Sequence, residues 1–166
     1  FFAVAPNSLR GWAFRRLGPG GYNTYAINRN NLDQTGDLKF EFNAEYRFNI
    51  YKIFKGALFT DVGNIWLIKA DPDKPLADFN GKRFMQELAW DVGMGLRMDL
   101  NFFVVRFDVG YALYDPAFPK GDRWTFNKIN NEDYTIYKQP RNKELGLYKI
   151  NVKDFMGFNF AIGYPF

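Results

Sequence analysis

The sequence predicts an all-β fold: five antiparallel strands that form part of a transmembrane β-barrel. Three observations carry this reading. Apolar and polar residues alternate with a period of two along five segments, which the 3.6-residue period of a helix would scramble. The connections between those segments alternate short and long, as the turns and loops at the two ends of a membrane barrel do. Finally, 20% aromatic residues are combined with 24% charged ones, the mixture required by a sheet with one apolar and one wet face.

The first strand spans 37–50, with Leu38, Phe40, Phe42, Ala44, Tyr46, Phe48 and Ile50 on one side and Asp37, Lys39, Glu41, Asn43, Glu45, Arg47 and Asn49 on the other. The second, about 56–68, alternates less cleanly: Leu58, Thr60, Val62, Asn64 and Trp66 oppose Phe59, Asp61, Gly63 and Ile65. In the third, 87–100, Leu88, Trp90, Val92, Met94, Leu96, Met98 and Leu100 oppose Glu87, Ala89, Asp91, Gly93, Gly95, Arg97 and Asp99. The fourth, 103–113, sets Phe103, Val105, Phe107, Val109, Tyr111 and Leu113 against Val104, Arg106, Asp108, Gly110 and Ala112. The fifth, 156–166, sets Met156, Phe158, Phe160, Ile162, Tyr164 and Phe166 against Gly157, Asn159, Ala161, Gly163 and Pro165.

Short joins fall at 51–55 and 100–102, and long ones at 69–86 and 114–154. The long ones are polar and hold turn formers such as Asp71-Pro72-Asp73, Asn80-Gly81, Lys120-Gly121-Asp122 and Asn130-Asn131. No helix is expected in them. Asp71 to Lys82 is acidic but lacks a full calcium-loop ligand set, so it reads as a solvated loop.

Two barrels compete for this pattern. A soluble ligand-binding barrel of the lipocalin kind turns its apolar face inward and needs about eight strands, more than are visible here. A membrane barrel turns that face to lipid, and about 9 to 11 residues per strand suffice to cross. Small residues on the opposite face, such as Gly93, Gly95 and Gly157, suit a lumen crowded by something else. Five strands cannot close, and an open edge in lipid leaves backbone groups unpaired, so a larger barrel is expected. With the C-terminus on the short-turn side, parity makes 1–36 the end of an extracellular connection and 37–166 the five strands with two long extracellular loops. The opening Phe1-Phe2-Ala3-Val4-Ala5-Pro6 lacks the basic start and long apolar core of a secretory signal, so a removed leader or a longer parent chain is expected.

Composition excludes much chemistry. Among 166 residues there is no Cys, no His and a single Ser, Ser8. Ser-His and Cys-His nucleophile pairs, Cys/His zinc sites and disulfides cannot be built. There is no Gly-rich phosphate loop followed by Lys and Ser or Thr. The net charge of +4 is spread without a basic block, which argues against nucleic acid. An enzyme, a metal or a cofactor is therefore not expected.

Three motifs say more. They are Leu9-Arg10-Gly11-Trp12, the run Gly56-Ala57-Leu58-Phe59-Thr60-Asp61-Val62-Gly63-Asn64-Ile65-Trp66, and the C-terminal Gly157-Phe158-Asn159-Phe160-Ala161-Ile162-Gly163-Tyr164-Pro165-Phe166. In this order they resemble, over essentially the whole chain, the last part of the barrel in the BamA/TamA superfamily of outer-membrane insertases. Asn7-Ser8-Leu9-Arg10-Gly11-Trp12 and Leu17-Gly18-Pro19-Gly20 look most like its TamA-like lipoprotein branch, TamL, typical of Bacteroidetes.

The resemblance implies a barrel of about sixteen strands, within the range of outer-membrane barrels. It also implies an extracellular loop that folds back into the lumen with an aliphatic-Arg-Gly-aromatic tip. Here Leu and Trp stand where Val or Ile and Phe or Tyr are usual. The matching wall residues are Phe59, Asp61 and Glu45. A guanidinium can hold a carboxylate through two parallel bonds, so Arg10 is expected to bridge Asp61 and Glu45 with Phe59 beside it, Gly11 and Trp12 completing the tip. By the same resemblance the last strand is a recognition signal and a lateral seam, carried by Gly157, Phe158, Phe160, Gly163, Tyr164 and Phe166. Gly163 would permit an inward bend, and Pro165 removes a ladder donor.

The implied function is non-enzymatic assembly, insertion or translocation of outer-membrane and surface proteins in the bacterial outer membrane. The implied partners are outer-membrane lipids, client proteins, accessory subunits, and the remaining strands and periplasmic repeat domains of the same protein. A secretion pore for a dedicated partner protein is an open alternative, as is the soluble ligand-binding barrel.

Overall fold

In a computed structural model the chain is described over residues 8–13, 16–23, 34–128 and 155–163. Five strands follow one another in a single open sheet: β1 (Leu38–Tyr51), β2 (Phe54–Trp66), β3 (Ala89–Asp99), β4 (Val104–Tyr114) and β5 (Met156–Gly163), in the order β1-β2-β3-β4-β5. Every neighbouring pair is antiparallel. The two short joins turn at Lys52 and Asn101, both with positive φ. The second suits the tolerance of Asn for the left-handed region.

The alternation of the sequence becomes two unlike faces. The apolar face is open: Phe42 is 58% exposed, Tyr46 69%, Met94 65% and Phe158 71%. A contiguous apolar surface of this extent belongs against lipid or protein and not against water. The polar face is covered by residues 8–13 and 16–23, whose Leu9, Trp12 and Leu17 join Ile65, Ala89, Ala112, Phe118 and Phe155 in the buried apolar cluster. A ligand-cavity barrel would have the faces the other way round.

At the long-connection end several expectations are corrected. The third strand begins at Ala89 and not at 87, because Glu87 closes a one-turn helix, α1 (Phe84–Glu87). Its carboxylate is buried and accepts from Trp66 Nε1 at 2.8 Å and Arg83 Nε at 2.7 Å. In the sequence, such a buried acid is indistinguishable from one more wet position in the alternation. A second helical piece, the 3-10 turn Thr125–Lys128, lies in the other long connection.

Asp71 to Lys82 is not wholly a solvated loop. It folds back so that Leu67 N donates to Ala77 O and Phe79 N to Leu67 O. Ala77 is fully buried, and the Phe79 and Phe84 rings meet Trp66 at 5.8 and 5.3 Å. The β2–β3 ladder ends at Gly63↔Ala89, so the last turn of β2 is wrapped on both sides. Asn64 and Trp66, assigned by parity to the lipid side, are fully enclosed there. Asn64 Nδ2 donates to the carbonyls of Gly20 and Glu87.

In β4 the pairs Trp90↔Tyr114 and Asp91↔Ala112 leave Leu113 as an extra residue. This bulge makes Tyr114, not Leu113, the partner of Trp90 on the apolar side. Trp124 covers them both, at 5.2 Å from Tyr114 and 5.9 Å from Trp90.

Candidate functional site

Register builds the site. On the polar face one row crosses all five strands: Glu45↔Phe59↔Gly93↔Gly110↔Gly157. The row nearer the long connections is Asn43↔Asp61↔Asp91↔Ala112. The row on its other side is Arg47↔Ala57↔Gly95↔Asp108↔Asn159. The central row is a trough, because its last three members have no side chains. Phe59 lies over Gly93, where an added Cβ would meet its ring. Gly110 and Gly157 are the floor for Arg10: a Cβ at Gly110 would come within 2.6 Å of its carbonyl oxygen, and one at Gly157 would collide with the same atom.

The tip Leu9-Arg10-Gly11-Trp12 is seated in this trough. Arg10 Nε and Nη2 donate to the two oxygens of Asp61 at 2.8 and 2.9 Å, and Nη1 donates to Glu45 Oε2 at 2.6 Å. The Arg10 backbone N–H adds a third bond to Asp61 at 3.2 Å, and Asn43 Nδ2 a fourth at 2.9 Å. The guanidinium lies over the Phe59 ring, 3.5 Å from its centroid, a cation–π contact. Gly11 N–H donates to Asp91 Oδ2 at 2.8 Å, and Asn159 Nδ2 donates to Arg10 O at 3.1 Å. Trp12 Nε1 donates to Asp115 Oδ2 at 3.3 Å, where the long connection leaves β4.

The electrostatics close within the cluster. Arg10 is 3% exposed and Asp61 0%, so each needs the other. Burial opposes the charge on Arg10, but the hydrogen bonds and charges of Asp61 and Glu45 outweigh it and hold its pKa above the ordinary value. Glu45 also accepts from Arg97 at 2.9 Å and from Arg47 at 2.7 Å. Asp108 is bonded by Arg97 and by Arg106. This arrangement can fix a loop to a wall. Among the described residues no grouping of acidic side chains could hold a metal ion.

The structure thus brings Arg10, Gly11, Glu45, Phe59 and Asp61 together, with Trp12 at the margin. Gly157 belongs to the same place, beneath the tip. Phe158 and Phe160 point the other way, 71% and 59% exposed on the apolar face. Gly163 pairs with Val104 at the end of β5, with open space where a Cβ would be. Tyr164 and Phe166 lie outside the described residues, as does Pro165. Asn43, Asp91, Gly110, Asp108, Arg97 and Asn159 were not anticipated as site residues. The signal for them was present in the face assignments, but only strand register converts a face into a row.

Comparison with protein-family models matches the Omp85 superfamily domain over residues 1–166. No match was found among curated proteins or solved structures. A family match over the whole length, on an antiparallel sheet with one apolar and one polar face, makes this chain a member of the Omp85 superfamily, a family of outer-membrane protein assembly and translocation.

Proposed function

We propose that the chain forms the last five strands of a BamA/TamA-type barrel in the bacterial outer membrane, nearest to the TamL branch, and assists insertion of outer-membrane or surface proteins. Residues 1–36 are then the end of an extracellular loop that enters the lumen, and Leu9-Arg10-Gly11-Trp12 is its latch. The observation that carries this reading is the seating of Arg10 on Glu45, Phe59 and Asp61, which ties a connecting segment to the polar face of the wall. Such a device fixes a shape; it performs no catalytic step and needs no cofactor. β5 is the second working part: a client strand adds to its edge by β-augmentation, with the exposed Phe158 and Phe160 facing lipid. The driving free energy comes from client folding and burial of client surface in lipid.

The test uses the full-length protein in lipid vesicles. Cysteines placed on β5 and on the strand that faces it lock the seam, and the chain contributes no Cys of its own to interfere. The reduced protein is expected to accelerate folding of an added barrel client, and the oxidised protein to lose that acceleration. Full acceleration with the seam locked overturns the reading.

A further inference from the structure

Arg10 and Gly11 touch all five strands, but the ties are unequal. To β1 and β2 the tie is a guanidinium on the carboxylates of Glu45 and Asp61. To β3 it is an amide on the carboxylate of Asp91. To β4 it is the packing of Arg10 on Gly110, with Asp108 Oδ2 3.8 Å from Arg10 Nη1. To β5 it is one hydrogen bond between neutral groups, Asn159 Nδ2 to Arg10 O, beside the close fit over Gly157. Bonds to charged groups are the stronger kind, so β5 is tied more weakly than β1, β2 and β3.

The direction of the Asn159 side chain follows from its neighbours. Its partner in register on β4 is Asp108, an acid that could compete for the amide. Arg97 and Arg106 already donate to Asp108, one to each oxygen. The carboxamide donates instead to the Arg10 carbonyl, an acceptor that sits over the same strand only because Gly157 has no side chain. We propose that Asn159 is the positioning residue through which the loop tip holds β5, and that this tie opens first when β5 moves, leaving the charged ties to β1 and β2 in place. Its meaning for a seam rests on the function proposed above, but the tie itself does not.

Hydrogen exchange of the full-length protein in detergent micelles, resolved by peptide, tests this. Asn159→Ala is expected to speed exchange of the 156–163 amides about three- to ten-fold, the loss of one neutral bond. Peptides covering 8–13 and β2 should keep wild-type protection, whereas Arg10→Ala should speed exchange in both regions. Should Asn159→Ala fail to assemble, Asn159→Thr, a better strand former that cannot reproduce the carboxamide, gives the same reading. Unchanged β5 exchange overturns the proposal, and so does equal loss of protection in residues 8–13, which would make Asn159 a support of the loop alone. Exchange requires no client. A wild-type pattern in Asn159→Ala therefore leaves the insertase reading standing, and a failed client assay with the expected pattern counts against that reading only.

Discussion

The seated tip has two halves that are held by opposite means. Toward β1 and β2 it extends a side chain, and the contact is made of charge: one buried guanidinium between two carboxylates and above a ring. Toward β3, β4 and β5 it presents backbone, bonded to Asp91 and Asn159 and fitted over glycines where side chains would otherwise stand. The first half is expensive to break and demands the guanidinium fork. The second is lighter in charge but admits almost no added side chain at its glycines.

The largest effect is expected in the charged half. Arg10→Ala or Asp61→Ala leaves a buried partner uncompensated and should lower the stability of the full-length barrel by about 3 to 5 kcal/mol in urea unfolding. Arg10→Lys should rescue little of it, since a point charge cannot span both Asp61 oxygens and reach Glu45. A loss below about 1 kcal/mol for Arg10→Ala would mean that the two halves are not distinct in kind.

Next comes the glycine half. Gly110→Ala adds one methyl against the Arg10 carbonyl and should cost about 1 to 3 kcal/mol as overpacking. Gly81→Ala, with no atom within 4 Å of the added group, should leave the same unfolding curve unmoved. Equal curves for the two variants would remove the steric account of the trough.

Smaller again is Trp12→Phe, which keeps a ring in the cluster and loses the bond to Asp115. A decrease of about 1 kcal/mol is expected by the same unfolding measurement. The smallest is Asp91→Asn. A carboxamide oxygen still accepts from Gly11 N–H, and a second acid directly opposite Asp61 is replaced by a neutral group of the same shape, so stability should be unchanged or slightly higher. A clear destabilisation would move Asp91 into the charged half.

The same division marks what could be read in the sequence. The faces of the strands are legible along most of their length because a period of two survives wherever one side is apolar, and the pairing of Arg10 with Glu45, Phe59 and Asp61 is what the family resemblance implies. Contacts that depend on register were not. Nothing in the order of residues says that Gly93, Gly110 and Gly157, far apart in the chain, stand side by side, or that Asn159 lies under the tip. Errors gathered where loops bury strand ends. Glu87 looked like a wet position, and Asn64 and Trp66 looked lipid-facing, because alternation reports polarity and not what covers it. Strict alternation gives Leu113 the place that Tyr114 holds, because a bulge inserts one residue without changing composition.

The row Glu45↔Phe59↔Gly93↔Gly110↔Gly157 has a consequence for how the chain is put together. No strand contains the docking place for Arg10 and Gly11; it comes into being only when all five are paired in one particular alignment. A slip of one residue turns an entire strand to the other side. A slip of two at β2 would offer Ala57 or Asp61 in place of the ring of Phe59. Seating of the tip is therefore an audit of the sheet, passed only after every pairing is correct. An incompletely zipped sheet would carry a loose Arg10, distinguishable from the finished one.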